Sequence, residues 1–241
     1  MKVLFLGQRP LGMACFQVLL GNPSRFPDVE IVIAVGDEPI YTAALEAGIS
    51  RFYNTSKHEQ TILNEIEERK PDILMSVKHP WVFSEKIIDA MKGEAYNIHC
   101  AKLPEYQGWN ACTNAILNSE KEFVVTLHRI APVVDTGNMI YTSTFPIEPG
   151  DTAGSLDEKS VIAGLAIFEQ FIHDKANGKT LQEYPLKGEP HFYHKDMDRE
   201  IKLVSAVTDR IARVARAFTH PEHSPAYIMH KGIKYEIRAV G

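Results

Sequence analysis

The chain reads Ala95-Tyr96-Asn97-Ile98-His99 near its middle, and this largely apolar run has the length of a buried β-strand. Side chains two residues apart on a strand point to the same face, so we expect Asn97 and His99 to stand side by side where the strand ends. A later carboxylate, Asp135 in Val134-Asp135-Thr136-Gly137, can reach the same point. An amide, an imidazole and a carboxylate together stabilise an oxyanion and move a proton, which acyl transfer to an amine requires.

Apolar runs of strand length alternate with helical patterns around this stretch. The predicted strands are 3–6, 29–35, 72–77 and 95–98, and the predicted helices are 14–20, 56–69 (with a capping box of Ser56 and Glu59) and 84–92. This order predicts an α/β fold with a mostly parallel sheet. Strands at 123–130 and 139–145 are close enough in sequence to pair antiparallel. Ser155 and Glu158 are predicted to cap a long helix that ends at Gly178.

The amino-acid composition changes after this helix, where proline, glycine, histidine and tyrosine become frequent. We therefore divide the chain into a catalytic domain, residues 1–180, and a small C-terminal appendage, residues 181–241. The appendage is predicted to contain an amphipathic helix at 208–218 and a β-hairpin that turns at Lys231-Gly232. An exposed hairpin edge invites pairing with a second copy, so the appendage is predicted either to dimerise the chain or to help bind the acceptor.

The composition argues against several classes of protein. With 241 residues, 44% of them hydrophobic, and a formal net charge of −5, the chain has a globular composition and lacks the basic surplus of a nucleic-acid-binding protein. Cys15, Cys100 and Cys112 form no paired motif, so the sequence predicts neither a zinc site nor a disulfide framework. There is no signal-peptide pattern and no run of about 18 apolar residues, and we expect a cytoplasmic protein with no membrane partner.

Polar residues follow several of the predicted strands, at the edge where open α/β sheets bind their ligands. The first strand leads into Gly7-Gln8-Arg9-Pro10-Leu11-Gly12, and the strand at 72–77 leads into Lys78-His79-Pro80-Trp81. The first of these loops lacks the G-x-G-x-x-G spacing, and Pro10 removes a backbone donor that a pyrophosphate would use. The sequence therefore disfavours a nicotinamide-dependent dehydrogenase.

Five strings, taken in order, resemble the formyltransferases that use 10-formyltetrahydrofolate. They are Asn97-Ile98-His99, Leu103-Pro104-Glu105-Tyr106-Gln107-Gly108, Ala115-Ile116-Leu117-Asn118, Val125-Thr126-Leu127-His128 and Val134-Asp135-Thr136-Gly137. The resemblance covers about residues 1–175 and implies a Rossmann-like sheet, with Asn97, His99 and Asp135 as the catalytic residues. It also implies 10-formyltetrahydrofolate as the co-substrate, without a metal. The residues implied to bind the pterin of this donor are His79, Pro80, Trp81, Val82, Phe83, Ala131, Pro132, Val133 and Asp135.

The C-terminal appendage bears on which amine accepts the formyl group. Acceptors in this superfamily include initiator methionyl-tRNA, glycinamide ribonucleotide and nucleotide-linked amino sugars. Residues 181–241 carry 10 Lys and Arg against 8 Asp and Glu, which is too neutral for a tRNA-binding domain. The string Arg216-Ala217-Phe218-Thr219-His220-Pro221 resembles the segment after the catalytic domain in sugar and tRNA formyltransferases. We therefore predict a homodimer that formylates a dTDP-linked 4-amino-4,6-dideoxyhexose for a surface polysaccharide such as the lipopolysaccharide O-antigen.

The candidate acceptor-binding residues combine aromatic faces, amides and cations, which suit a hexose, a base and a pyrophosphate. They are Gln8, Arg9, Lys78, Tyr106, Gln107, Trp109 and Asn110. Residues Cys100–Lys102 and Gln107 depart from the usual pattern of the family, which leaves the acceptor contacts open. For His128, a structural hydrogen bond is as good an explanation as a place in the cleft. Glycinamide ribonucleotide formylation, hydrolysis of the formyl donor and a catalytically silent nucleotide-sugar-binding module remain as alternatives.

Overall fold

A computed structural model describes residues 1–21, 24–53, 58–199 and 208–240. The strands in chain order are β1 (Lys2–Gly7), β2 (Glu30–Gly36), β3 (Ser50–Tyr53), β4 (Ile73–Val77), β5 (Ala95–His99), β6 (Gln107–Gly108), β7 (Glu122–Arg129), β8 (Met139–Pro146), β9 (Phe192–Tyr193), β10 (Ala226–His230) and β11 (Ile233–Ile237). The helices are α1 (Arg9–Gly21), α2 (Glu38–Glu46), α3 (Glu59–Arg69), α4 (Glu85–Ala90), α5 (Ala111–Leu117), α6 (Ala153–Ala176) and α7 (Thr208–Ala217). Within these ranges, no helix combines the length and the apolar character needed to span a bilayer.

The described part of the chain builds a seven-stranded sheet in the order β3-β2-β1-β4-β5-β7-β8. Neighbouring strands from β3 to β5 are parallel, whereas β7 is antiparallel to both β5 and β8. The loop between β7 and β8 is too short for a crossover connection, which needs a dozen or more residues, so these two strands pair as a hairpin. The predicted α/β fold with a mostly parallel, Rossmann-like sheet is confirmed.

Both faces of the sheet are covered by helices, so the central strands are apolar on both sides. Phe5 of β1 packs against Phe16 of α1 and Phe168 of α6, with ring centroids 5.3 and 6.3 Å away. Leu6, the next residue, points to the opposite face and joins a second core with Ile62 of α3. Fully burying one such side chain contributes about 1.5–3 kcal/mol to folding. The sheet is therefore a rigid base for the loops at its carboxyl edge.

The segment between β2 and α3 contains structure that the sequence analysis does not predict. It forms α2 and then β3, which is the edge strand of the sheet. Residues of β3 are half-buried or exposed, and the strand reads Ser-Arg-Phe-Tyr. It therefore lacks the apolar run from which a strand is predicted. The predicted cap of α3 at Ser56 lies outside the described residues.

Helix α6 begins earlier than predicted, and its cap differs. The N-cap is Thr152, not Ser155: the Ser155 N–H donates to Thr152 Oγ1 at 3.1 Å, while the Thr152 N–H donates to Ser155 Oγ at 2.9 Å. Serine takes the third position of this capping box, where glutamate or glutamine is usual. The sequence pattern therefore points to Ser155 and Glu158, one turn too late. The earlier start brings the first turn of α6 to the carboxyl edge of the sheet.

The C-terminal appendage forms the predicted helix and hairpin and lies against the α/β body. Helix α7 packs on α5, and β9 pairs with β6, while β10 and β11 form an antiparallel hairpin. The N–H of Gly154 in α6 donates to the carbonyl oxygen of Thr219 at 3.0 Å. The segment that follows α7 is thereby held beside the N-terminus of α6. The domain boundary at residue 180 remains a prediction.

Candidate active site

A cleft opens at the carboxyl edge of the sheet, where β1, β4 and β5 end and where the strand order reverses between β1 and β4. Asn97, His99 and Asp135 all line it. Ile98 has its side chain almost completely buried, and the alternation along β5 leaves Asn97 and His99 partly buried on the other face. The structure thus brings together the three residues that the sequence singles out as catalytic.

The carboxylate of Asp135 is held in place by the backbone of its own loop and of β6. Asp135 has a φ of +55°, which is uncommon for a residue other than glycine. The Gly108 N–H donates to its Oδ2 at 2.9 Å, and the Gln107 side-chain amide donates to its carbonyl oxygen at 3.1 Å. At Gly137, an added Cβ would come within 1.9 Å of the Arg129 carbonyl oxygen, so only glycine fits there. The loop is therefore pinned to β7 and presents the carboxylate in one orientation.

The ring of His99 is oriented by a backbone carbonyl and by this carboxylate. Its Nε2 lies 2.7 Å from the carbonyl oxygen of Tyr106, which accepts a hydrogen bond, so the proton of a neutral ring resides on Nε2. Nδ1 lies 3.6 Å from Asp135 Oδ2, longer than a hydrogen bond. Nδ1 is thus the nitrogen that can accept a proton, and Asp135 is close enough to stabilise the resulting imidazolium.

His128 is a functional candidate to which the sequence analysis assigned no firm role. It is almost fully buried and lies directly opposite Asn97 in the antiparallel pair of β5 and β7. Its Nδ1–H donates to the Arg129 carbonyl oxygen at 2.7 Å, which leaves Nε2 to accept from Asn97 Nδ2 at 3.2 Å. Nε2 also lies 3.5 Å from Asp135 Oδ1. His128 therefore joins Asn97, His99 and Asp135 in what we call the central cluster.

The central cluster keeps its carboxylate ionised. Burial by itself raises the pKa of Asp135, but the positive charge that His99 and His128 carry when protonated, together with the Gly108 N–H, outweighs burial and holds this pKa well below its usual range. A carboxylate that stays charged far into the acid range serves as a fixed counter-charge. It is poorly suited to accept and return protons itself, which leaves that task to an imidazole.

An apolar stretch forms one side of the cleft. His79, Pro80, Trp81, Val82, Phe83 and Ala131, all expected to bind the donor, line it. Trp81 and Phe83 pack with ring centroids 5.4 Å apart, and His79 Nδ1 accepts from the Trp81 N–H at 3.2 Å. Burial lowers the pKa of His79 to about 3, so this ring is neutral at physiological pH. The last two expected residues, Pro132 and Val133, do not line the cleft, and Val133 is 66% exposed because its loop turns outward.

The residues expected to contact the acceptor fall into two groups. Gln8, Arg9, Lys78, Trp109 and Asn110 line the cleft. Tyr106 and Gln107 do not: the Tyr106 hydroxyl donates to Glu120 at 2.6 Å and its ring stacks on Tyr193, while Gln107 is used to hold Asp135. Both side chains support the walls of the cleft from behind. Sequence spacing could not reveal this, because their partners lie in distant segments.

Residues 25–171 match the family described as formyl transferase, which is more than half of the chain and includes the whole central cluster. The chain belongs to the formyl transferase family. A curated relative, the methionyl-tRNA formyltransferase of Alkaliphilus oremlandii, is 24% identical over 180 residues, covering 71% of this chain. The chain spans 58% of the length of that relative.

Solved structures match this chain over nearly its full length. A sugar N-formyltransferase from a Shewanella species superposes with a TM-score of 0.81 at 18% identity, covering 99% of this chain and 97% of that one. An N-formyltransferase from Helicobacter canadensis, solved with folinic acid and dTDP-3-aminofucose, gives a TM-score of 0.76 at 21% identity, covering 97% of this chain and 86% of that one. At these identities the likeness establishes the fold.

The segment after α7 forms part of the cleft. His220 and His223 line it, with their rings stacked and centroids 4.4 Å apart. Lys78 forms an ion pair with Asp157 of α6, whose second carboxylate oxygen is 3.6 Å from His220 Nε2. We call residues 219–223, together with the Arg9, Lys78 and Asp157 side chains that face them, the C-terminal wall. The string Thr219-His220-Pro221 resembles a segment of related enzymes, but nothing local in the sequence shows that it folds back onto the cleft.

Proposed function

We propose that this formyl transferase moves the formyl group of 10-formyltetrahydrofolate to the amine of a nucleotide-linked amino sugar. The observation that carries the proposal is the convergence of Asn97, His99, His128 and Asp135 at the carboxyl edge of the sheet in a member of this family. Formyl transfer to an amine requires an oxyanion donor, a proton carrier and a fixed counter-charge. The amide, an imidazole and the carboxylate supply these three in turn.

Asn97 supplies the oxyanion donor in this proposal. One hydrogen of its Nδ2 is directed to His128 Nε2, and the second is free to meet the formyl oxygen. The acceptor nitrogen attacks the formyl carbon, a C–N bond forms, and the carbonyl oxygen gains negative charge. A single well-placed oxyanion donor contributes about 3–4 kcal/mol to such a transition state. Because His128 holds the amide, Asn97 need not reorganise when this charge develops.

His99 carries the proton from the acceptor amine to N10 of the donor, whose bond to the formyl carbon breaks. The Tyr106 carbonyl keeps the Nε2 proton in place, so the exchange takes place at Nδ1. Asp135, 3.6 Å away, stabilises the imidazolium while the proton is carried. The proton that leaves the amine is the one that tetrahydrofolate gains, so the transfer needs no other reactant.

The apolar side of the cleft fits the donor. Trp81 and Phe83 offer flat faces to a pterin ring, and neutral His79 adds no charge there. The N-formyltransferase of Helicobacter canadensis was solved with a formylated folate, which supports the same co-substrate here. We therefore assign the donor to residues His79–Phe83 and Ala131, with Asp135 between the donor and the acceptor.

A nucleotide-linked sugar is supported by the better superposition on sugar N-formyltransferases. The Shewanella enzyme superposes with a TM-score of 0.81, whereas a methionyl-tRNA formyltransferase from Clostridium thermocellum, which covers the same 99% of the chain, gives 0.68. Trp109 presents an aromatic face for a sugar or base, and Arg9 a cation for a phosphate. We propose a dTDP-linked amino sugar destined for a surface polysaccharide, and a cytoplasmic homodimer.

The test is release of tetrahydrofolate from 10-formyltetrahydrofolate with one acceptor at a time. The acceptors are dTDP-linked amino sugars, glycinamide ribonucleotide, methionyl-tRNA and water. We expect turnover with a dTDP-linked amino sugar and a formamide product visible by mass spectrometry. Turnover with glycinamide ribonucleotide or methionyl-tRNA alone would refute the sugar assignment. Release with water alone would indicate a hydrolase, and binding without release a silent module.

A further inference from the structure

The two cations of the C-terminal wall are compensated in different ways. Lys78 and Asp157 both have largely buried side chains, 17% and 16% exposed, and the second oxygen of Asp157 faces His220. Arg9 instead pairs with Glu222 at 2.7 Å, where the two side chains are 30% and 48% exposed. An exposed pair contributes little to stability, whereas breaking a buried one leaves an unpaired charge at a much larger cost. Arg9 is therefore the cation whose partner can be exchanged.

The backbone fixes Arg9 at the mouth of the cleft. Arg9 has a φ of +63°, a backbone conformation that residues other than glycine rarely adopt. Its N–H donates to the carboxylate of Asp37 at 2.9 Å, which holds this conformation. Arg9 is also the first residue of α1, where the helix dipole favours an anion. The position combines a guanidinium and a helix N-terminus at the end of β1.

Glu222 approaches from the opposite side on an anchored segment. Its N–H donates to His220 Nδ1 at 3.1 Å, and Thr219 is bound to the first turn of α6. Gly154 lies so close that an added Cβ would be 3.3 Å from Pro221. The backbone around Glu222 is thus fixed, and only its half-exposed side chain has room to swing away from Arg9.

We propose that Glu222 occupies the place on Arg9 that a phosphate group of the acceptor takes when it binds. This inference rests on the proposed function for the identity of the acceptor. Arginine binds phosphate through two parallel hydrogen bonds, which a diphosphate offers and which outcompete a single exposed carboxylate contact. Glu222 thereby competes with the ligand for Arg9. Ligands with a phosphate displace Glu222, and neutral sugars leave the Arg9–Glu222 ion pair intact.

The test is calorimetric titration of Glu222→Gln with inorganic pyrophosphate and with dTDP. Glutamine keeps the size of the side chain and removes the competing charge, so both ligands are expected to bind about fivefold more tightly than to the native protein. Arg9→Gln is expected to weaken both by about tenfold or more, and to abolish the gain from Glu222→Gln in the double variant. Glu236→Gln is the matched control, since Glu236 pairs with Lys234 on the hairpin and is 52% exposed.

Three outcomes would overturn the inference. Unchanged pyrophosphate affinity in Glu222→Gln would show that Glu222 does not compete. An equal gain in Glu236→Gln would show a general effect of net charge. A matching gain for 5-formyltetrahydrofolate, whose anionic groups are carboxylates, would assign Arg9 to the donor. The titrations require no turnover, so failure of every amino sugar as an acceptor would refute the proposed function and leave these results to decide on Glu222.

Discussion

The central cluster and the C-terminal wall differ in how firmly their polar groups are held. Asp135 meets a backbone N–H and two imidazoles and is 9% exposed, whereas Glu222 meets one guanidinium and is 48% exposed. Groups that stabilise developing charge gain from being fixed beforehand, because no reorganisation accompanies the reaction. Groups that admit a ligand must be able to exchange partners. This contrast agrees with the proposal that the first region performs the chemistry and the second selects the acceptor.

The largest effect is expected for Asp135→Asn, which tests whether the central cluster performs the chemistry. Asparagine keeps an oxygen for the Gly108 N–H but removes the charge that stabilises the His99 imidazolium. We expect kcat to fall by about 10²- to 10⁴-fold with little change in the KM of the acceptor. Steady-state kinetics beside Asp209→Asn, an exposed aspartate of α7, checks this. A variant with native kcat would remove Asp135 from the mechanism.

His128→Leu tests whether Asn97 depends on a partner. The leucine fills the space but cannot accept from Asn97 Nδ2, so the amide is expected to lose its orientation and kcat to fall by about 10- to 100-fold. His128→Gln restores an acceptor and is expected to recover part of the rate. His173→Gln, at a side chain that is 64% exposed, is the control. Equal kcat in the leucine and glutamine variants would indicate a packing role only.

The two tryptophans of the chain both line the cleft and serve as controls for each other. Trp81→Ala is expected to raise the KM of the formyl donor by about tenfold and to leave the KM of the acceptor alone. Trp109→Ala is expected to do the reverse. Bisubstrate kinetics measures both constants for each variant. A rise in the same constant for both would show that donor and acceptor are not separated as proposed.

The smallest expected effect concerns stability against pH. Because the folded state lowers the pKa of Asp135, its contribution is fully present above the unfolded-state pKa of about 3.9 and is lost as pH falls through the folded value. Native protein is expected to exceed Asp135→Asn by about 1–3 kcal/mol in unfolding free energy at pH 7. The gap is expected to shrink as pH drops below about 4. Urea unfolding at several pH values measures it, and a gap that does not depend on pH would contradict the assignment.

The sequence reveals the parts of this site that depend on local periodicity. Asn97 and His99 follow from alternation along one strand, and the β1–β5 pattern follows from apolar runs. His128 could not be placed, because its role requires that β7 pair with β5 in a register that sets it opposite Asn97. His220 reaches the cleft only because the chain returns more than 100 residues after His99. Long-range register and chain return leave no local signal.

The fit of Gly137 against the Arg129 carbonyl has a consequence for the order in which the molecule becomes active. The carboxylate of Asp135 is carried by the loop of the β7–β8 hairpin, yet its partners His99 and Gly108 belong to other segments. Activity can therefore return during refolding only after that hairpin has docked on β5. The time course of recovered turnover cannot run ahead of this docking step. The far-UV circular dichroism of the helices would follow the folding of the rest of the chain.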